Sequence, residues 1–321
     1  MKMEPRGNRR LTTPLASAGK ADRANRRATP VTRSPNARET LPKTPAPPVV
    51  VKLGGRALEA PGALREFAAA LAGLSRVSLL VHGGGAEVSA WCGKLGLTPR
   101  FADGLRMTDD ATLDVVTAVL AGLANKRLVA ALRAHGVDAV GLSALDGGIV
   151  RAAPHADAAR LGRVGEITGV DASLLSTLLA DGRTPVVASV AASDTGELLN
   201  VNADDVAAAL AAAVGASHLV LLSDAPGLKL AGEIVPRVFA GDLAAALASP
   251  DVEGGMRPKL RAAATALQAG VGRVHITTWL GPATLGDLLG GSAPGTTLLA
   301  DGSPAANDPT AMRAVTEDAH V

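Results

Sequence analysis

Residues 49–55 read Val49-Val50-Val51-Lys52-Leu53-Gly54-Gly55, and residues 77–85 read VSLLVHGGG. Each is a short, largely apolar run that stops at glycines. A run of that length, rich in β-branched residues and bounded by a glycine turn, is a strand buried on both faces. The same kind of run recurs further along the chain. Strands are expected at 139–142, 184–189, 219–222 and 273–276. Between them lie helical patterns at 61–75 (Leu64, Phe67, Ala68, Leu71, Leu74), 86–96, 173–181, 204–214 and 257–269, and one long apolar-periodic helix is expected over 111–136. Buried strands alternating with helices predict an α/β chain built on a mainly parallel sheet with both faces covered. Such sheets bind ligands at the carboxyl ends of their strands, where this chain places its glycines and polar residues.

The 321 residues are 47% hydrophobic and 2% aromatic, enough for a sizeable core. The net charge of +2 divides unevenly: residues 1–46 balance at +8, so the remainder carries −6. The basic character belongs to the tail, which argues against the whole protein being a nucleic-acid binder. Residues 1–46 are rich in Pro, Arg, Thr, Ser and Asn without sustained periodicity, and are expected to be disordered. The single cysteine, Cys92, excludes an intramolecular disulfide and a Cys-rich metal site, and it fits a reducing compartment. With no apolar run of about 20 residues and no secretory h-region, no membrane association and a cytoplasmic location are expected.

Familiar signatures are missing: there is no G-x-x-x-x-G-K-[ST] loop, no protein-kinase set and no G-x-S-x-G elbow, and the histidines show no metal-ligand spacing. Five features carry chemistry instead. Lys52 stands at the end of a buried strand before two glycines whose N–H groups can approach an anion, although an edge lysine before a tight turn has the same pattern. His82-Gly83-Gly84-Gly85 puts three glycines at a strand-to-helix junction, a geometry suited to phosphate or an oxyanion; His82 itself reads as structural. Arg106, in Gly104-Leu105-Arg106-Met107-Thr108, precedes a helix capped by Thr108 or Asp109 and could grip a carboxylate bidentately. In Asn200-Val201-Asn202-Ala203-Asp204 the two asparagines share one side of an extended segment. Asp204 then either caps the following helix or pairs with lysines at a phosphoryl group. Finally, Gly254-Gly255-Met256-Arg257-Pro258-Lys259 delivers a cation into the first turn of a helix, against the macrodipole, where an anionic ligand would explain it.

In this order, and together with LAGLANK (120–126), VGLSALDGG (140–148), LVLLSDAPGL (219–228) and GTTL (295–298), these motifs resemble the amino acid kinase family over about residues 48–300. The resemblance implies an open three-layer αβα sandwich over 47–302, with an acceptor-binding lobe over about 47–216, a nucleotide-binding lobe over about 217–302 and a flexible tail at 303–321. It implies phosphoryl transfer from ATP, with Mg²⁺ carried by the nucleotide, to the γ-carboxylate of N-acetyl-L-glutamate on the arginine biosynthesis route. Matched residue by residue, Lys52 and Lys259 are the lysines that stabilise the transition state and Asp204 organises them. Gly84, Gly85, Arg106 and Asn200 hold the acceptor. Gly54, Gly55, Asp224, Gly227, Leu228, Lys229, Asp251, Val252 and Glu253 fall where the family holds the nucleotide. Two alternatives stay open: a kinase acting on carrier-linked aminoadipate or glutamate, which the −6 body disfavours, and a member that binds nucleotide without catalysis. Aspartokinase is disfavoured because its regulatory domains do not follow. Arginine-inhibited members use a helical N-terminal extension to join dimers into hexamers; PNARETLPKTPAPP (35–48) cannot form that helix, so an arginine-insensitive homodimer is expected.

Overall fold

The computed structural model describes residues 46–302 apart from 55, 59 and 293. The basic tail up to residue 45, Gly55 and the tail expected over 303–321 lie outside the described residues.

The two opening stretches form β1 (Val49–Leu53) and β2 (Ser78–His82), buried throughout and paired in parallel. Helix α1 (Ala63–Ala72) connects them, and α2 (Gly85–Lys94) starts directly at the glycines after β2. A small hairpin, β3 (Phe101–Ala102) with β4 (Leu105–Arg106), follows. The single helix expected over 111–136 is three segments: α3 (Asp110–Thr117), a π-helical stretch over Ala118–Ala124, and α4 (Asn125–Ala134). Contrary to the expectation from apolar runs alone, Asp110–Ala134 is long and apolar enough to cross a bilayer by length and composition. Leu128 and Leu132 nevertheless pack with α1 and the sheet, and Val116, Val119 and Leu120 pack with Val88 and Cys92 of α2, as in a core helix.

Then come β5 (Ala139–Ser143), β6 (Val150–Pro154), α5 (Ala158–Leu161), β7 (Val164–Val170), α6 (Ser173–Ala180), β8 (Thr184–Ala188), β9 (Val190–Ala192) and β10 (Leu198–Val201). After α7 (Ala203–Ala213) and β11 (His218–Leu222), a hairpin of β12 (Lys229–Leu230) and β13 (Glu233–Ile234) leads to β14 (Arg237–Phe239). The described chain closes with α8 (Leu243–Ala248), α9 (Met256–Gln268), β15 (Arg273–Thr277), α10 (Thr284–Gly290) and β16 (Thr296–Leu299).

Eight strands form the central sheet in the order β14-β16-β15-β11-β1-β2-β8-β5, parallel except where β15 meets β16. Alternation along β1 shows why three layers form. Val50 packs with α7 (Val206, Leu210) and α9 (Leu260, Ala263, Leu267). Val49, Val51 and Leu53 pack with Phe67 and Leu71 of α1, Leu128 and Leu132 of α4, and Leu285 and Leu288 of α10. Each such side chain gains about 1.5–3 kcal/mol by leaving water, so a β1 of four apolar residues is committed to both faces at once. Lys52 takes the place in the α7–α9 layer that this alternation would give to a fifth.

One unit escapes the apolar-run reading. β6, β7, β9 and β10 close into a four-stranded barrel within residues 150–201. Its strands are short and one-sided, with Arg151 and Glu166 exposed among buried neighbours and glycines at 165 and 169, so no continuous run marks them.

Candidate active site

The carboxyl ends of β1 and β2, with β4, β10 and the starts of α7 and α9, bring the predicted residues together. Lys52 lies opposite Val81 of β2 and Leu221 of β11, and is only 7% exposed. Its ammonium reaches the first turn of α7, where Asp204 is 4% exposed. The capping role open to Asp204 belongs to Asn202, whose Oδ1 accepts from the Asp204 N–H at 2.7 Å and the Asp205 N–H at 3.4 Å. With the helix end satisfied by its neighbour, the Asp204 carboxylate is free to turn inward.

It turns between two lysines. Lys52 Nζ lies 2.8 Å from Oδ1, an ion pair off hydrogen-bond alignment, and Lys259 Nζ donates to Oδ2 at 3.1 Å. The placement of Lys259 near the start of α9 is thus answered: its ammonium also turns back to 3.5 Å from the Gly255 carbonyl. Burial alone would raise the Asp204 pKa, but the two ammonium groups outweigh it and hold the carboxyl below its ordinary value. Burial pulls Lys52 downward, Asp204 opposes that and Lys259 adds to it. Two cations on one carboxylate leave a buried site one positive charge in excess, which an anionic ligand would neutralise.

Lys52 and Asp204 open onto a cavity of about 220 Å³, walled by Gly83, Gly84 and Gly85 and by Arg106 and Asn200. The glycines begin α2, whose first-turn N–H groups have no partner within the helix. A Cβ on residue 84 would stand 2.8 Å from Leu120 Cδ2 and would push that side chain aside, so glycine gives the closest wall here. Arg106 is 8% exposed, with its guanidinium carbon 4.7 Å from the centre of the Phe101 ring. Its Nη2 donates to the Gly85 carbonyl at 2.7 Å and to Ser89 Oγ at 2.8 Å, while Nη1 is buried without a partner. A buried guanidinium nitrogen lacking an acceptor is costly unless a ligand supplies one. Asn200 Nδ2 donates to Thr108 Oγ1 at 3.0 Å, and that hydroxyl donates to the Arg106 carbonyl at 2.8 Å, so two residues far apart in sequence form one unit. Thr108 is this connector; the cap of α3 is Asp109, which accepts from the Thr112 N–H at 2.8 Å.

Lys52, Asp204, Gly84, Gly85, Arg106 and Asn200 therefore meet around one cavity, and Lys259 joins them from behind Asp204. Residues assigned to the nucleotide do not line it. Gly54 borders a second, mostly apolar cavity of about 190 Å³ on the other side of Gly83 and Gly84, and Gly55 is outside the described residues. Asp224 is exposed and paired with Arg56 at 2.8 Å. Gly227 packs against Ile234 and Thr296, Lys229 is exposed, and Asp251 accepts from the Ala231 N–H at 2.6 Å. Leu228 and Val252 are in the core, so their side chains are unavailable to a ligand; the Val252 carbonyl accepts from Arg257 Nε. Glu253 is exposed beside them, just before α9. Ser89 is a site residue with no sequence signal, and Thr108 enters the sequence reading only as a possible cap.

A sequence model of the amino acid kinase family matches residues 47–278. An acetylglutamate kinase from Chloroflexus aurantiacus is 45% identical over 234 residues, 72% of this chain and 92% of that one. Another from Methanopyrus kandleri is 45% identical over 240 residues, 71% and 94% of the two chains. Among solved structures, N-acetylglutamate synthase from Neisseria gonorrhoeae, complexed with coenzyme A and N-acetyl-glutamate, superposes with a TM-score of 0.67 at 26% identity, covering 79% of this chain and 59% of that one. Carbamate kinase from Giardia lamblia, bound to AMP-PNP, gives 0.60 at 17% identity over 80% and 99%, a likeness of fold.

Proposed function

The chain belongs to the amino acid kinase family, and from that premise we propose that it transfers the γ-phosphoryl group of ATP to the γ-carboxylate of N-acetyl-L-glutamate, an early step of arginine biosynthesis. The observation that carries this reading is Asp204 gripped by Lys52 and Lys259 beside a glycine-walled cavity that also holds the unpartnered Arg106 nitrogen. Arg106 receives the α-carboxylate of the acceptor. The Asn200 amide oxygen, its nitrogen being occupied by Thr108, accepts from the acylated amine.

The acceptor carboxylate is already a nucleophile, so alignment and charge neutralisation suffice. One of its oxygens bonds to the γ-phosphorus as the bond to the bridging oxygen breaks, giving an acyl phosphate and ADP. Lys52, which lines the acceptor cavity, neutralises the transferring group from that side. Lys259, on the helix that follows the 251–253 segment, neutralises it from the nucleotide side. The N–H groups of Gly84 and Gly85 meet its equatorial oxygens. Asp204 keeps the two ammonium groups apart and aimed. Among the described residues it is the one carboxylate lining the cavity and is already bound to both lysines, so Mg²⁺ would come with the nucleotide's own phosphates and would add neutralisation there. The nucleotide is assigned to the segments containing Gly54 after β1, Asp224–Lys229 after β11, and Asp251–Glu253 between α8 and α9.

ATP-dependent acyl phosphate formation, trapped as a hydroxamate, tests the reading. N-acetyl-L-glutamate is expected to give hydroxamate, and L-glutamate and α-aminoadipate little. A preference for aminoadipate would shift the acceptor, and no hydroxamate with any of them would end the kinase reading. The same reading carries a cytoplasmic homodimer. Sedimentation velocity is expected to show a dimer with and without arginine; a hexamer would contradict it.

A further inference from the structure

Behind the glycine wall lies a polar cluster that the reaction above leaves unused. Asn125 is 0% exposed within an apolar helical run, and His82 is 4% exposed at the end of β2. Asn125 Nδ2 lies 2.9 Å from the Val186 carbonyl, 3.1 Å from the Leu142 carbonyl and 3.1 Å from His82 Nε2. Carbonyl oxygens only accept, so the amide nitrogen faces them as donor. His82 Nδ1 stands 3.0 Å from the Gly83 carbonyl and must likewise carry a proton. The imidazole is thereby fixed as the neutral Nδ1–H form: the two amide hydrogens of Asn125 are shared among the two carbonyls and Nε2, and a proton on Nε2 would face a donor. Burial lowers the ring's pKa, in keeping with that neutral state.

Two features show that room is made for this amide. The buried stripe at Leu113, Val116 and Leu120 would continue through 124, 127 and 131 at α-helical pitch; it continues at Asn125, Leu128 and Leu132, one residue later. The π-helical turn absorbs that extra residue and rotates Asn125 onto the sheet. Opposite it, a Cβ on residue 141 would overlap Asn125 Oδ1, so glycine is required there. Lys126 Nζ occupies that oxygen at 3.0 Å.

The Gly83 carbonyl and the Gly84 N–H belong to one planar trans peptide and point in opposite directions, so fixing one aims the other. We propose that His82 and Asn125 are positioning residues for the phosphoryl transfer: Asn125 sets the His82 tautomer, and His82 holds the Gly83–Gly84 peptide so that the Gly84 N–H faces the charge developing in the cavity. The inference rests on the kinase reading above.

The full-length protein with two partial isosteres of His82 tests it. Asparagine keeps a donor near the place of Nδ1, whereas glutamine keeps a polar atom near Nε2 and none near Nδ1. His82→Gln is expected to lower kcat about 10–100-fold, less than outright loss of an oxyanion donor, with KM for both substrates within about threefold. His82→Asn is expected to restore kcat to within about threefold of the wild type, even where its unfolding temperature falls as far. A His82→Gln variant with wild-type kcat, or kcat falling equally in both in step with stability, would overturn the proposal. Nitrogen-15 NMR of the unmodified protein reads the tautomer without any assay: protonated Nδ1 and bare Nε2 support it, and the Nε2–H form refutes it. Should the wild type give no hydroxamate with any acceptor, the kinase reading fails and the catalytic role falls with it, while the tautomer still judges the geometry.

Discussion

Lys259→Ala is expected to lower kcat by about 10²–10³-fold while KM for N-acetyl-L-glutamate stays within about threefold of the wild type. The asymmetry follows from where the side chain lies. Lys259 does not line the acceptor cavity; its ammonium is held against Asp204 at 3.1 Å, ready for charge that builds only as the phosphoryl group moves. An interaction that strengthens in the transition state raises kcat and contributes little to ground-state binding. Folding is expected to survive, because removing Lys259 leaves Asp204 and Lys52 as a matched buried pair in place of a site with excess positive charge. Lys259→Arg is not expected to rescue turnover, since a broad planar guanidinium cannot occupy the point that a compact ammonium does. Steady-state kinetics of the trapped hydroxamate, beside thermal unfolding of the same preparations, check both statements. A variant with raised KM and normal kcat would remove Lys259 from the chemistry.

The sheet was legible because its central strands are buried on both faces, which leaves unbroken apolar runs such as Val49–Val51 and Leu219–Leu222. The barrel of β6, β7, β9 and β10 was not, because its short strands carry Arg151, Glu166 and glycines at positions that interrupt any run. The seven residues assigned to catalysis and acceptor binding came together because each sits beside a glycine turn or a helix start, most of them at a strand's carboxyl end and Lys259 in the first turn of α9, a feature motif order reports. What motif order could not report was the division of labour. Asn202 and Asp204 are both good helix caps, and only the fold shows that Asn202 takes the cap and frees Asp204 for the lysines. The π-helical turn was equally hidden, since an extra residue in an alanine- and leucine-rich run changes the phase of the buried stripe without changing its composition. His82 read as structural on residue type alone; its contact to the Gly83 carbonyl and its partner Asn125, 43 positions away, give it a place next to the chemistry.

Asp204→Asn is expected to abolish measurable turnover and also to destabilise the protein by about 3–5 kcal/mol, since it strands two buried ammonium groups without a counter-ion. For a domain of this size that is a fall on the order of 10 °C in unfolding temperature. The loss cannot come from the end of α7, because Asn202 caps it in both proteins. Charge is the cause if removing the stranded cations reverses the effect: Asp204→Asn combined with Lys52→Met and Lys259→Met should recover most of the stability and none of the activity. A triple variant no more stable than Asp204→Asn would place the cost in packing instead. Acid titration gives an independent check with a defined sign. The folded-state pKa of Asp204 lies below the ordinary 3.8, so its contribution is complete above 3.8 and fades as pH falls through the lower folded value. In that window the unfolded chain has already bound the proton that the folded site still refuses. Asp205 beside Asp204 is raised to about 6 by burial and by the Asp204 charge, and the variant lacks that second push. The stability gap between wild type and Asp204→Asn should therefore widen modestly from neutral pH down to about 4 and close only below it. A gap that closed instead between pH 7 and 5 would point to a histidine, and would take the two-lysine clamp out of the account of stability.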